Sequence, residues 1–533
     1  MLNKTKETMR SKSHENFMGG PSYDLSPFAR LFVMAVSSFF GEDGYYPGTR
    51  RHSTKHVSYL SSVLGTFGAE LEELMTYDDR GQAMHKAIVD SMAYDAGLTL
   101  NFLAWLRTKA LIRATPAAGL AIASHCPEIR GTGMLNSVSD KVLSRLDDVT
   151  NCLAYCLDIF GKPIPNSLKK VLAKRLEKAS EYELAKYAGK NKKVSLKSVI
   201  RLTHPHSEAI DKFCRDEISQ ATDGQETWEA ILSAEGASKE SWEKAIPVMG
   251  HMALLRNLRN FEKHGVDESL YVDKLLAGVE NGKQLPFRYY SAWQNVTSSS
   301  LRKVLEQCMD KSIINLPHFD GKSLILVDNS GSATGTYVSK LSNVSVSTAG
   351  NLMGILTGLV SEEGRIGVFG DKIKYVPVNK NFKGSTLEML RMVNDIGDTV
   401  GSATENGIWL ALDDAIREKQ HYDRIFIYSD MQAGHGGLYG TDAERKKYPK
   451  YPDGQGYYID VPKLVAEYRQ KVNPHCKLYS IQIAGYSDNI FPEFYPDTCI
   501  MGGWSTEILK FVELFEKDPM KIEDMFRKEF AKQ

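Results

Sequence analysis

Five oxygen-bearing side chains stand where a parallel sheet would gather them. The apolar run SLILV leads into Asp328-Asn329-Ser330-Gly331-Ser332, Thr404 lies in GSATENG ahead of a helical stretch, and Asp430 closes RIFIYSD. In a doubly wound sheet, ligands bind beyond the carboxyl ends of the strands. Asp328, Ser330, Ser332, Thr404 and Asp430 would all meet there. Carboxylates and hydroxyls together are the donors a hard divalent cation takes, with Mg²⁺ first among them. A lone D-x-S-x-S is turn chemistry as readily as a ligand set. Its coincidence with Thr404 and Asp430, each at its own strand end, points to a metal site. A vacant coordination position there would accept a partner's carboxylate or another oxygen ligand.

A second set of residues is basic. Between Lys186 and His206 lie six Lys or Arg and no acid, including Lys186, Lys190, Lys192, Lys193 and Arg201, with His204 close behind. Upstream, Lys170 and Lys174 sit four apart on one helical stretch, and Arg107 and Arg113 belong to another. Spacing of i, i+4 lines one helix face. Clustered cations of this kind neutralise nucleic-acid phosphates and release their counterions. Tyr187 and His204 add groups that stack on or hydrogen-bond unpaired bases.

The two sets need different scaffolds. From about residue 25 to 310 apolar residues recur at helical spacing, broken by Pro and Gly, which predicts many short helices. No fixed-period repeat is evident, although such helix pairs commonly stack as a solenoid. After about residue 318, the β-rich runs SLILVD, RIGVFG, RIFIYSD and KLYSIQIAG alternate with helical stretches. This alternation predicts a doubly wound α/β domain with a parallel sheet. The expected units are a helical domain over 16–315 and an α/β domain over 318–520. A Gly/Tyr/Lys-rich stretch after Asp430, reaching about residue 460, is long for a compact domain and would emerge on the metal side.

The 533 residues carry 66 Lys+Arg against 66 Asp+Glu, a formal net charge of zero. The balance conceals segregation, because residues 101–200 hold 17 basic and 8 acidic side chains and residues 201–250 hold 5 and 10. Partners respond to such local fields. Seven cysteines without a C-x-x-C pair predict buried reduced thiols and not a disulfide framework. The polar opening has no apolar h-region, and no run reaches the ~20 apolar residues needed to cross a bilayer. A cytoplasmic protein without membrane contact is expected. No P-loop, nucleophile elbow or H-E-x-x-H occurs, and one-metal phosphodiester hydrolysis would need a positioned base or a second metal. Enzyme activity is therefore not expected.

The oxygen constellation resembles the metal-ion-dependent adhesion site of von Willebrand factor A domains, over about residues 320–515. That resemblance implies Ser330, Ser332 and Thr404 as direct ligands and Asp328 and Asp430 as carboxylates acting largely through water. The helical half is similar to the TROVE module of Ro-type RNA-binding proteins. The matching pieces are NFMGG from Asn16, Gly44-Tyr45-Tyr46, the basic stretch ending at Arg201 and His204, MALLRNLRN from Met252, and Pro286-Phe287-Arg288. The family resemblance implies HEAT-like helical repeats closed into a ring by the A domain. It further implies small noncoding Y RNA on the basic outer surface and single-stranded 3′ ends of misfolded RNA in the hole, with a monomer sufficient. An exoribonuclease partner and a role in RNA quality control or decay also follow from it. Arg256 and Asn257, on an otherwise apolar helix, are expected to serve packing. The competing reading is a Mg²⁺-dependent protein-adhesion scaffold whose basic helices are mere surface.

Overall fold

The computed structural model describes residues 13–16, 21–37, 80–188, 194–218, 227–282, 284, 286–313, 316–338, 344–378, 384–433, 459–486, 488–493, 495–517 and 522–531. A short antiparallel hairpin, β1 (Ser13–Glu15) and β2 (Pro21–Tyr23), opens it. Helices follow from Pro27 to Ser312, most of them seven to fifteen residues long. The alternating half then supplies β3 (Phe319–Asp328), β4 (Ser361–Phe369), β5 (Ile373–Val378), β6 (Arg424–Ser429), β7 (Lys477–Gln482) and β8 (Thr498–Gly502).

These six strands form one sheet in the order β5-β4-β3-β6-β7-β8. All pairings are parallel except β4 with the edge strand β5. Every residue of β6 and β8 is buried, as expected of strands covered on both faces. The chain leaves β3 toward β4 on one side and later returns to β6 on the other. The order thus reverses at the β3–β6 boundary, where Asp328 and Asp430 stand. The parallel sheet agrees with the sequence; the antiparallel edge, β8 and the opening hairpin were not legible in it.

The helical array both leaves the α/β domain and returns to it. At its start, the helix Pro27–Ser37 lies against β8, close enough that a Cβ on Gly502 would stand 2.5 Å from the Val33 carbonyl oxygen. Glycine is required there by close backbone approach. The final helix, Ile522–Ala531, inserts Phe526 among Phe28, Phe32, Phe102, Trp105 and Phe511, with ring centroids 5.1–5.7 Å apart. At the other end, the helices Phe287–Asn295 and Ser299–Ser312 dock on the helix Thr386–Gly397. There Thr386 Oγ1 donates to Asp310 (2.6 Å) and Asn394 Nδ2 to Tyr290 Oη (3.2 Å). Phe287 also meets Trp504 edge-on at 6.1 Å. The result is a helical-repeat ring closed by an α/β domain of von Willebrand A type.

One continuous apolar core runs from the helices into one face of the sheet, and a second fills the other face. The cysteines are free thiols; Cys214 is exposed, against expectation, and the other six are buried. Among the described residues, no helix is long and apolar enough to cross a membrane.

Candidate functional site

The tight turn after β3 is shaped by Asp328, whose Oδ1 accepts the Ser330 backbone N–H at 2.8 Å. Ser330 then stands just before the short helix Gly331–Gly335, and its Oγ lies 3.2 Å from Ser332 Oγ. Across the switch point, Asp430 donates its backbone N–H to Asp328 Oδ2 at 3.4 Å. Asp328 and Asp430 are wholly buried, with Ser330 and Thr404 nearly so. Thr404 is held by Asp371, whose Oδ1 accepts both its N–H (2.7 Å) and its Oγ1 proton (2.9 Å). That donation leaves the hydroxyl lone pairs free for a cation.

Glu405 joins them. One oxygen from each of Asp328, Glu405 and Asp430 lies within 4.8 Å of the others, and all three side chains are buried. Glu405 accepts the Ser429 hydroxyl and the Gln432 N–H (3.1 Å). Asp430 Oδ2 has no hydrogen-bond partner. No Lys or Arg pairs with any of the three among the described residues. Burial, then the Asp430 charge, pushes the Asp328 carboxyl up to about 7. Burial, then the Asp328 and Asp430 charges, raises Glu405 well above the carboxylate range, and burial raises Asp430. Three buried, mutually repelling carboxylates and an unpaired oxygen fit a hard divalent cation in their midst. The sequence reading missed Glu405, although it directly follows Thr404 on the same loop.

Behind these oxygen-bearing groups lies a file of amides. Asn329 and Asn351 exchange hydrogen bonds at 3.0 and 2.9 Å, and Asn351 donates to Asn394 at 2.9 Å. On the other side, Gln432 Nε2 donates to Asp488 at 2.8 Å, and the second Asp488 oxygen lies 3.2 Å from His14 Nε2.

The basic residues fall into two groups. Arg107 is committed to the buried Asp148 through Nη2 (2.9 Å) and Nε (3.2 Å), and Arg113 pairs with Asp147. Lys174 reaches Asn136 at 2.9 Å and Asp140 at 3.4 Å. Lys170, Lys186, Arg201 and His204 are exposed. Arg201 and His204 owe their display to the helix Leu196–Thr203, which Ser195 caps and which turns Leu196, Val199, Ile200 and Thr203 inward. His204 ends it in the left-handed region (φ 52°), with Pro205 next. Lys186 stands over the ring of Tyr182 at 5.5 Å, and Arg145 over Tyr187 at 5.2 Å. Lys190, Lys192, Lys193, the Gly44–Tyr46 turn and residues 434–458 of the long stretch lie outside the described residues.

The helix His251–Lys263 departs from expectation. Leu254, Leu255, Asn257 and Leu258 do face the core, and Asn257 Nδ2 donates to the Ala253 carbonyl at 2.9 Å. Arg256, Arg259 and Lys263 face outward instead and form no ion pair among the described residues. Burial, then the neighbouring Arg256 charge, lowers the Arg288 guanidinium. Two like charges this near one another favour an anion beside them.

The TROVE domain family matches residues 221–367, a span that runs from the helices into the first strands of the sheet. The solved structure of the Ro (RSR) protein of Deinococcus radiodurans is similar over 91% of this chain and 97% of that one, with a TM-score of 0.55 at 15% identity. At that identity the likeness is one of fold. No curated relative matches the sequence.

Proposed function

We propose, from the likeness to the TROVE domain family over residues 221–367, that this chain is a noncatalytic RNA-binding ring with a Mg²⁺-dependent ligand site in its A domain. The observation that carries the reading is the set of exposed cations on the helical array, Lys170, Lys186, Arg201, Arg256, Arg259 and Lys263, which have no acidic partner among the described residues. Phosphates supply the missing counter-charge. The proposed ligands are small noncoding Y RNA and the single-stranded 3′ ends of misfolded RNA. Lys186, Lys190, Lys192, Lys193, Arg201 and His204 would make the principal contacts, with Lys170 and Lys174 beside them. Arg107 and Arg113 would act mainly by holding the helices that carry these groups. The helical unit of residues 16–315 would bind RNA and the unit of 318–520 the cation, in a cytoplasmic monomer acting in RNA quality control or decay, with an exoribonuclease as an associate.

In the A domain, Ser330, Ser332, Thr404, Asp328, Asp430 and Glu405 would hold the cation, which supplies a Lewis-acidic point for an oxygen ligand. The test separates the two sites. Reversing Lys186, Lys192, Lys193 and Arg201 to Glu should abolish retention of a labelled small RNA while Mn²⁺ binding persists. Asp328→Ala with Ser330→Ala should do the opposite. RNA retention that survives the charge reversal overturns the RNA assignment. Cleavage of the RNA during prolonged incubation with Mg²⁺ overturns the noncatalytic one.

A further inference from the structure

Two hydrogen-bonded files beside the carboxylate cluster lead in opposite directions and end at the two seams of the ring. Asn329 lies between Asp328 and Ser330 in the metal loop and is nearly fully buried. From it, hydrogen bonds pass through Asn351 and Asn394 to the Tyr290 hydroxyl, on the helix that returns the array to the α/β domain. A Cβ on Gly397 would stand 2.3 Å from Asn329 Oδ1, so this file has no slack. The other file starts at Gln432, whose N–H is held by Glu405 (3.1 Å) and by Asp430 (3.3 Å). It passes through buried Asp488 to His14 on β1. The same hairpin is pinned by Tyr23 N–H to the Asn489 carbonyl (3.0 Å), by Asn489 N–H to Ser22 Oγ (3.0 Å) and by Asn16 Nδ2 to the Ala433 carbonyl (3.3 Å). It leads directly into the helix that lies on β8.

We infer that cation occupancy of the carboxylate cluster is coupled to closure of the ring, through Asn329 toward Tyr290 and through Gln432 toward His14. This rests on the metal-site reading above and extends it to regulation. The physical reason is direct. Without a cation, three buried carboxylates repel one another, and the loops carrying Asn329 and Gln432 relax. With a cation, both loops are drawn to one point and both files are held taut. A ligand shifts such an equilibrium only by its preference for one state. By linkage, whatever opens a seam must weaken cation binding by the same factor.

The test is hydrogen exchange of the full chain with Mn²⁺ or with EDTA, alongside calorimetric titration of Mn²⁺. Mn²⁺ should slow exchange in residues 21–24 and 287–295 by roughly 5-fold or more, the lower range of allosteric coupling. Asp488→Asn should erase the effect at the hairpin alone, and Asn394→Ala at helix Phe287–Asn295 alone, both with Mn²⁺ still bound. Protection confined to 328–334 and 404–407 overturns the coupling while leaving the metal site standing. Absence of Mn²⁺ binding to the unaltered chain, with no difference from Asp328→Ala, overturns the metal reading itself and the coupling with it.

Discussion

At the scale of single residues, the buried carboxylates dictate a pH dependence whose sign can be worked out. The Asp328 carboxyl rises from an ordinary 3.8 to about 7 in the folded chain. Between those values the metal-free folded state holds more protons than the unfolded chain. The associated stability is fully present below the lower value and lost as pH rises through about 7. A cation requires the ionised forms, so its affinity rises across the same window. With EDTA, the Tm should therefore fall between about pH 5 and about pH 8, while the increment given by Mn²⁺ grows. Glu405→Gln removes one of three charges from the cluster and should weaken Mn²⁺ by roughly tenfold or more, since ligand charge count tunes cation affinity. Calorimetry at pH 7.5 or so reads this directly. Arg107→Ala takes from buried Asp148 the nearer of its two guanidiniums, leaving Arg113 at 3.6 Å; the loss of these charged hydrogen bonds, about 1.5–3 kcal/mol, should appear as a lower Tm. Five of the six residues proposed to hold the cation, with their strand-end context, were legible from residue type and spacing. Glu405 was not, because nothing in a linear string tells that the side chain next to Thr404 also turns inward, to meet Asp328 and Asp430.

At the scale of elements, local signals and tertiary pairing divide the work. Ser195 as a cap and the inward spacing of Leu196, Val199, Ile200 and Thr203 suffice to display Arg201 and His204 on one helix face. The helix His251–Lys263 obeys the same periodicity, and its pattern already placed Arg256, Arg259 and Lys263 opposite the leucines. Reading Arg256 as a packing group neglected that geometry. The final helix depends on partners hundreds of residues distant. Phe526 is fully buried among five aromatic rings drawn from both ends of the chain. Phe526→Ala should cost about 3–5 kcal/mol, the usual range for an aromatic lost from a core. Thermal unfolding should show it as a clear drop in Tm, with exchange quickened in Pro27–Ser37.

At the scale of the whole molecule, segregated charge governs how RNA would be held. Six phosphate contacts would reduce affinity by roughly a thousandfold between about 50 and about 200 mM salt. Filter binding of a small RNA across that range should show this steep slope, flattened in the charge-reversed variant. A shallow slope in the unaltered protein would exclude phosphate neutralisation as the main source of affinity.

The amino-acid sequence by itself determined the two-part architecture, the parallel sheet, the oxygen-bearing side chains at the strand ends and the basic helix faces. Each of these is written in short-range periodicity or in residue type beside a strand end, where local geometry settles which way a side chain points. Only the tertiary structure decided that Arg107 and Arg113 are held by Asp148 and Asp147, that Glu405 completes the carboxylate cluster, and that Tyr290 and His14 meet the files leading from it. Those contacts join residues from 24 to 474 positions apart. Closing so long a loop is an event of the whole fold, and no local pattern encodes it.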